Sequence, residues 1–251
     1  GLEKTHFLLH PGEEVRSPRM LLLFWEGGHG DESNRKFRRL LYEHYVPRWK
    51  GKRPDPFVYC NTCFTHNEWL NGTNEKNQLA MIRALKPLAP VAIITDAGWF
   101  KGGWPNGVGS WQPDPEKYPQ GMGPLAAAAQ EYGAVYGLWF EPERAAPGTK
   151  IYQEHPDWLL KREGDPWLAF LKGSQLINFA LPEVRAYMLK TIDDYMRLPG
   201  FGAYRQDCNI HALPFWRYND AADRQGITEM KYVAGLYAVS YTHLRAHETK
   251  A

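Results

Sequence analysis

Val91-Ala92-Ile93-Ile94-Thr95-Asp96 is a short apolar run that stops on a carboxylate. The pattern recurs twice. Val135-Tyr136-Gly137-Leu138-Trp139-Phe140 runs into Glu141, and Ala203-Tyr204-Arg205-Gln206 runs into Asp207. Acidic groups at the C-terminal ends of successive strands predict a (β/α) barrel, because the strand tips of that fold converge around one mouth.

Working outward, the segments between these runs read as helices. Thr73 or Asn74 caps a helix through about Lys86, with Leu79, Ile82 and Leu85 at helical spacing and Pro87 as its stop. An Ala- and Leu-rich helix ends at Gly133. Pro182 opens a third helix carrying Val184, Met188, Ile192 and Tyr195, ended by Pro199-Gly200. Phe57-Val58-Tyr59-Cys60 and Gln175-Leu176-Ile177-Asn178 read as further strands. These make four or five strand–helix units where a closed barrel needs eight. The predicted class is therefore α/β, a partial (β/α)8 TIM barrel cut short at its C-terminal side.

Residues 1–53 read differently. Met20-Leu21-Leu22-Leu23-Phe24-Trp25 predicts a strand, Glu26 to Asp31 is turn chemistry, and Lys50 to Pro56 has linker composition. We expect 1–53 to be the C-terminal remnant of a β-sandwich plus linker, 54–238 the N-terminal half of the barrel, and 239–251 a non-native tail resembling translated adapter sequence. The basic run from Asn34 to Arg39 is expected to be a solvated, partly paired face.

Across its 251 residues the chain has a formal net charge of +2 with 23% charged residues, which gives no electrostatic case for nucleic acid. It carries no run of 18 apolar residues, hence no predicted membrane span, and neither a P-loop nor a dinucleotide fingerprint. Three cysteines do not make a disulfide scaffold. Cys60 and Cys63 have C-x-x-C spacing without a second pair, and on a strand they would face opposite sides. Cys208, beside Asp207, is different in kind, and a free, reduced thiol there points to a cytoplasmic protein. His243 and His247 have the i, i+4 spacing of a helical metal site beside Glu248 but lack a third ligand, so neither metal nor organic cofactor is expected.

Ten Trp and fourteen Tyr are many, and stacked aromatic faces suit a flat, hydroxyl-rich ligand such as a sugar. Trp99, Phe100, Trp104, Trp111, Trp139 and Phe140 crowd the carboxylate-ended runs. A glycosidase needs two carboxyl groups, roughly 5–5.5 Å apart in a retaining enzyme. Asp96, Glu141 and Asp207 are candidates by position. For any one of them, capping a turn or pairing with an Arg is the alternative.

Four stretches carry a resemblance. Asp96-Ala97-Gly98-Trp99-Phe100, Gly137-Leu138-Trp139-Phe140-Glu141-Pro142-Glu143, His155-Pro156-Asp157-Trp158-Leu159-Leu160 and Tyr204-Arg205-Gln206-Asp207-Cys208-Asn209 together resemble glycoside hydrolase family 36, the α-galactosidase-like group. The likeness covers about residues 17–237. It implies a retaining glycoside hydrolase acting on α-galactoside oligosaccharides or related glycans, and it leaves a homo-oligomeric parent open. Asp207 then stands as nucleophile, Trp139 as the aromatic bounding the sugar, and Asp96 as an acceptor for sugar hydroxyls. Trp99, Glu141, Arg205 and Asn209 fall among the expected substrate contacts, and for Glu141 an ion pair with Arg144 stays open. Arg205 replaces the family's usual Lys. It is expected to project to the same side as Asp207, hold that carboxylate ionised and donate to a substrate hydroxyl. Gln206 replaces a Trp, Ala97 the second of two acidic residues, and Cys63 a Trp. The family's acid/base Asp follows a Cys-Ser-Gly-Gly or Cys-Ala-Ser-Gly-Gly motif, and neither occurs here. The proton donor is accordingly expected to be missing from the chain. A non-catalytic sugar-binding fragment and an α-N-acetylgalactosaminidase-type specificity are the rival expectations.

Overall fold

In chain order the computed structural model forms β1 (His6–Phe7), α1 (Gly30–His44), β2 (Tyr59–Asn61), α2 (Glu75–Leu85), β3 (Ala92–Thr95), α3 (Gly123–Gln130), β4 (Val135–Phe140) and β5 (Arg144–Ala145). There follow α4 (Lys150–Glu154), β6 (Leu159–Leu160), β7 (Gln175–Ile177), α5 (Pro182–Met196), β8 (Phe201–Gln206), α6 (Ala212–Tyr218), β9 (Arg224–Gln225) and α7 (Ile227–Glu248). The structure describes residues 2–46, 48, 51–53, 58–64, 69–90, 92–162, 170–171 and 173–248, with backbone alone at 69, 71 and 241–248. Phe57 and Val91, parts of two expected strands, lie outside the described residues, as do the side chains of His243, His247 and Glu248.

The three carboxylate-ended runs become neighbours in one parallel sheet of order β2-β3-β4-β8. Its register sets Asn61 beside Ile94, Thr95 beside Leu138, and Trp139 beside Arg205. All four strand ends thereby point the same way. The helices follow the sequence signals. Asn74 Oδ1 accepts from the Asn77 N–H at 2.9 Å to cap α2, and Pro182 occupies the first turn of α5. Val184, Met188 and Ile192 are the buried stripe of α5, at the spacing a helix needs to face a sheet. Gly137 is required where β4 meets β8, since a methyl group there would sit 2.5 Å from the Ala203 carbonyl oxygen.

Two expectations are corrected. Gln175–Ile177 is a strand but not a barrel strand. β7 lies between β5 and β6 in a separate antiparallel sheet, paired as Arg144–Leu176 and Leu159–Ile177. Met20–Trp25 is not a strand. No strand among the described residues pairs with it, and Met20 and Phe24 are about nine-tenths exposed, at 87% and 90%. The basic run after Asn34 lies on α1, where Lys36 meets Glu32 at 3.1 Å and Arg39 meets Glu43 at 2.7 Å, as a solvated face should.

The first residues are clasped to the last third of the chain. β1 pairs antiparallel with β9. The Leu2 N–H donates to Glu229 Oε1 at 2.8 Å, Arg217 donates to the Glu3 carbonyl at 2.6 Å, and Arg224 meets Glu13 at 2.5 Å. Among the described residues, no helix is long and apolar enough to cross a membrane.

Candidate active site

The strand ends open onto a cavity of about 580 Å³. Asn61, Asp96, Arg205, Asp207 and Asn209 supply its polar atoms, and Cys63, Leu70, Met81, Ala97, Trp104 and Trp139 are among its apolar lining. Five of the seven expected site residues are therefore brought together: Asp96, Trp139, Arg205, Asp207 and Asn209.

Asp207 follows directly on β8, its N–H donating to the Phe140 carbonyl at 2.9 Å. Its Oδ2 accepts from the Trp139 indole N–H at 3.0 Å and from Asn209 Nδ2 at 3.4 Å, while Oδ1 accepts from the Cys208 N–H at 2.8 Å. These donors fix the direction of the carboxylate. The side chain nonetheless stays partly open to the cavity.

Asp96 is nearly buried, and its oxygens are largely spoken for. Asn61 Nδ2 donates to Oδ2 at 2.6 Å, Arg205 lies 3.4 Å from the same oxygen, and the Ala97 N–H donates to Oδ1 at 2.9 Å. Arg205 does project to the cavity, but the ion pair it forms is with Asp96, not with Asp207. Gly98 turns the chain immediately afterwards with φ +98, a left-handed backbone that favours glycine, and a Cβ there would also stand 3.2 Å from Leu70 Cβ, tighter than ordinary contact.

The structure does not bring the other two expected residues into the cavity lining. Trp99 is fully buried. Its indole N–H donates to the Trp139 carbonyl at 2.8 Å, and its ring packs among Phe100, Trp111, Phe140 and Tyr195. It braces Trp139 from behind and does not line the cavity. Glu141 is also fully buried, held by Arg144 through Nε at 2.8 Å and Nη2 at 2.7 Å. Strand alternation would carry Glu141 to the same side as Trp139. The strand ends at Phe140, however, and the ion pair three residues on turns the carboxylate away.

Glu143 lies behind the site as well, accepting from the Tyr232 hydroxyl of α7 at 2.6 Å, and burial raises its pKa. Cys208 is exposed as a residue, but its sulfur is turned against the Ile210 carbonyl at 3.6 Å, and desolvation there, reinforced by the charge of Glu143, pushes the thiol up to about 12, so the sulfur beside Asp207 is a poor nucleophile. Cys60 and Cys63 do not diverge as expected. β2 ends at Asn61, Cys63 falls in the following turn, and both line the cavity. Asn61 is the residue that sequence reasoning missed. It ends a strand with a polar group, as Asp96 and Asp207 do, but its amide carried no charge to draw notice.

A family model described as melibiase matches residues 16–249. The chain is 28% identical over 249 residues to a probable α-galactosidase C of Aspergillus flavus, covering 92% of this chain and 30% of that protein. Among solved structures, the family 36 α-galactosidase AgaA of Geobacillus stearothermophilus in complex with stachyose superposes with a TM-score of 0.70 at 23% identity, over 83% of this chain and 29% of the other. The same enzyme in complex with raffinose gives 0.69 at 24% identity, over 83% and 29%. The chain thus spans about 30% of the length of the relatives it matches. The four-stranded parallel sheet with its helices is a partial TIM barrel, and since the family match takes in both the barrel strands and the residues around the cavity, the chain belongs to the melibiase family.

Proposed function

We propose that this chain is part of a retaining α-galactosidase-like glycoside hydrolase, with Asp207 as its nucleophile. The observation that carries the reading is Asp207 itself: a carboxylate at a strand end, aimed by the Trp139 and Asn209 donors and open to a cavity walled by Asn61, Asp96 and Arg205. Its free face would attack the anomeric carbon. The bond from that carbon to the leaving oxygen breaks, the oxygen takes a proton from an acid, and a glycosyl ester on Asp207 results. Water then attacks the same carbon, gives its proton to the now basic partner and releases the sugar with retained configuration.

Trp139 would bound the sugar, and Arg205 and Asn209 would donate to its hydroxyls. Asp96, held by two hydrogen-bond donors and the Arg205 guanidinium, is better suited to fixing Asn61 and Arg205 than to accepting many further bonds. Among the described residues lining the cavity the carboxylates are Asp96 and Asp207, so proton donation falls to a group outside these residues. The oligosaccharide complexes of AgaA support α-galactosides such as raffinose and stachyose as the substrate class. Residues 1–53 are proposed to belong to a unit preceding the barrel, and the reduced thiol of Cys208 fits a cytoplasmic location.

The test is hydrolysis of an aryl α-galactoside by this chain and by the gene at the span of its relatives. We expect turnover in the longer protein and its loss by several orders of magnitude on Asp207→Asn. Undiminished activity of that variant would remove the assignment. Turnover by the 251 residues alone would instead locate the proton donor within them.

A further inference from the structure

Glu141 and Arg144 lie outside the cavity, yet they hold parts of its wall. The Glu141 carboxylate accepts from the backbone N–H of Asn209 at 2.8 Å and from the indole N–H of Trp104 at 3.3 Å, in addition to its two bonds from Arg144. Arg144 in turn donates to the Pro105 carbonyl at 3.1 Å and to Ser174 Oγ at 2.9 Å, and its guanidinium lies 5.9 Å from the Trp104 ring centroid. Both charged side chains are fully buried.

One ion pair therefore joins separate loops at the strand ends. Trp104 and Pro105 come from the loop after β3, Glu141 from the end of β4, Ser174 from just before β7, and Asn209 from the segment after β8. Trp104 and Asn209 line the cavity, and Asn209 follows Asp207 by two residues and donates to it.

We propose that Glu141 is a positioning residue: its buried carboxylate, charged and locked by Arg144, sets the Asp207–Asn209 segment and the Trp104 ring against the substrate at once. Two charges inside protein are costly to bury, and a pair spent only on stability could be replaced by apolar packing. What apolar residues could not supply is an acceptor for the Asn209 N–H and the Trp104 N–H together. The carboxylate geometry does so with each oxygen taking one loop: Oε1 takes Asn209, and Oε2 takes Trp104. A shift of either loop by about 1 Å is enough to cost a reaction ~100-fold.

This inference rests on the proposed glycosidase function, and the experiment separates the two. In the protein at full gene length, Glu141→Gln keeps the shape and weakens the pair. We expect kcat on an aryl α-galactoside to fall about 10- to 100-fold per folded molecule, up to the loss that a misplacement of about 1 Å brings. Folding is followed by circular dichroism at the assay temperature. Trp104→Phe keeps a ring but removes the N–H, and we expect KM to rise several-fold with kcat less affected.

A Glu141→Gln protein with a lowered melting temperature but wild-type kcat per folded molecule would overturn the proposal, because that is the signature of a purely structural pair. Should Glu141→Gln not fold, Trp104→Phe decides: a raised KM supports the anchoring of that ring, and an unchanged KM overturns it. If Asp207→Asn abolishes turnover while Glu141→Gln spares it, positioning alone falls. If Asp207→Asn spares turnover, the functional reading falls first.

Discussion

Glu143 shows how a single side chain behind the site can set a pH dependence. Its carboxyl is buried, and burial raises its pKa above the ordinary 4.5. The folded state then binds the proton more tightly than the unfolded state, so stability falls as pH climbs from 4.5 through the raised value and levels off above it. Glu143→Gln should remove that slope and leave the variant no less stable than the wild type on the alkaline side. Urea unfolding of both proteins across this range measures it, and parallel stability curves would refute the burial argument. At this scale the sequence was partly legible. Asp207, Asp96 and Trp139 could be picked out because each sits at a strand end with its side chain on the open side. Trp99 and Glu141 could not be assigned from spacing. A turn at Gly98 sends the first inward, and Arg144 draws the second away from the face that alternation would give it.

The elements follow from local rules where burial is on both sides. Runs such as Ala92–Thr95 and Val135–Phe140 could only be central strands, and the caps at Asn74 and Pro182 fixed the helix starts. Gln175–Ile177 defeated the same logic, because so short a strand carries no information about whether its neighbour is parallel or antiparallel. Met20–Trp25 shows the complementary failure, since a strand exists only with a partner edge and the pattern of one segment cannot supply it. At the β4–β8 contact the constraint is steric. Gly137→Ala would place its methyl 2.5 Å from the Ala203 carbonyl oxygen, 2.6 Å from Ala203 Cβ and 2.8 Å from Ile94 Cδ1. Overpacking of this kind costs about 1–3 kcal/mol. A melting temperature equal to the wild type would mean that the two strands can separate without penalty.

For the whole molecule, the sheet order leaves β2 and β8 as outer strands, where a barrel would close upon itself. Val58, just before β2, is exposed. Among the described residues no further parallel strand follows β2 or β8, and sheet edges of this kind invite pairing with other chains. The 251-residue protein should therefore self-associate with rising concentration in sedimentation velocity, and Val58→Lys should reduce the effect. A monomer at all concentrations would show that the edges are protected.

The clasp between the first residues and the segment around Arg217 to Glu229 bears on the order of assembly. Its contacts join positions 211 to 227 residues apart. Closing so long a loop gains nothing until its ends already lie near one another, so the clasp can form only after the sheet and α5 have drawn the chain together. Its charged pair, Arg224–Glu13, is then among the last contacts to set and the first to open. The N-terminal residues thus act as a latch on a finished fold and not as its seed.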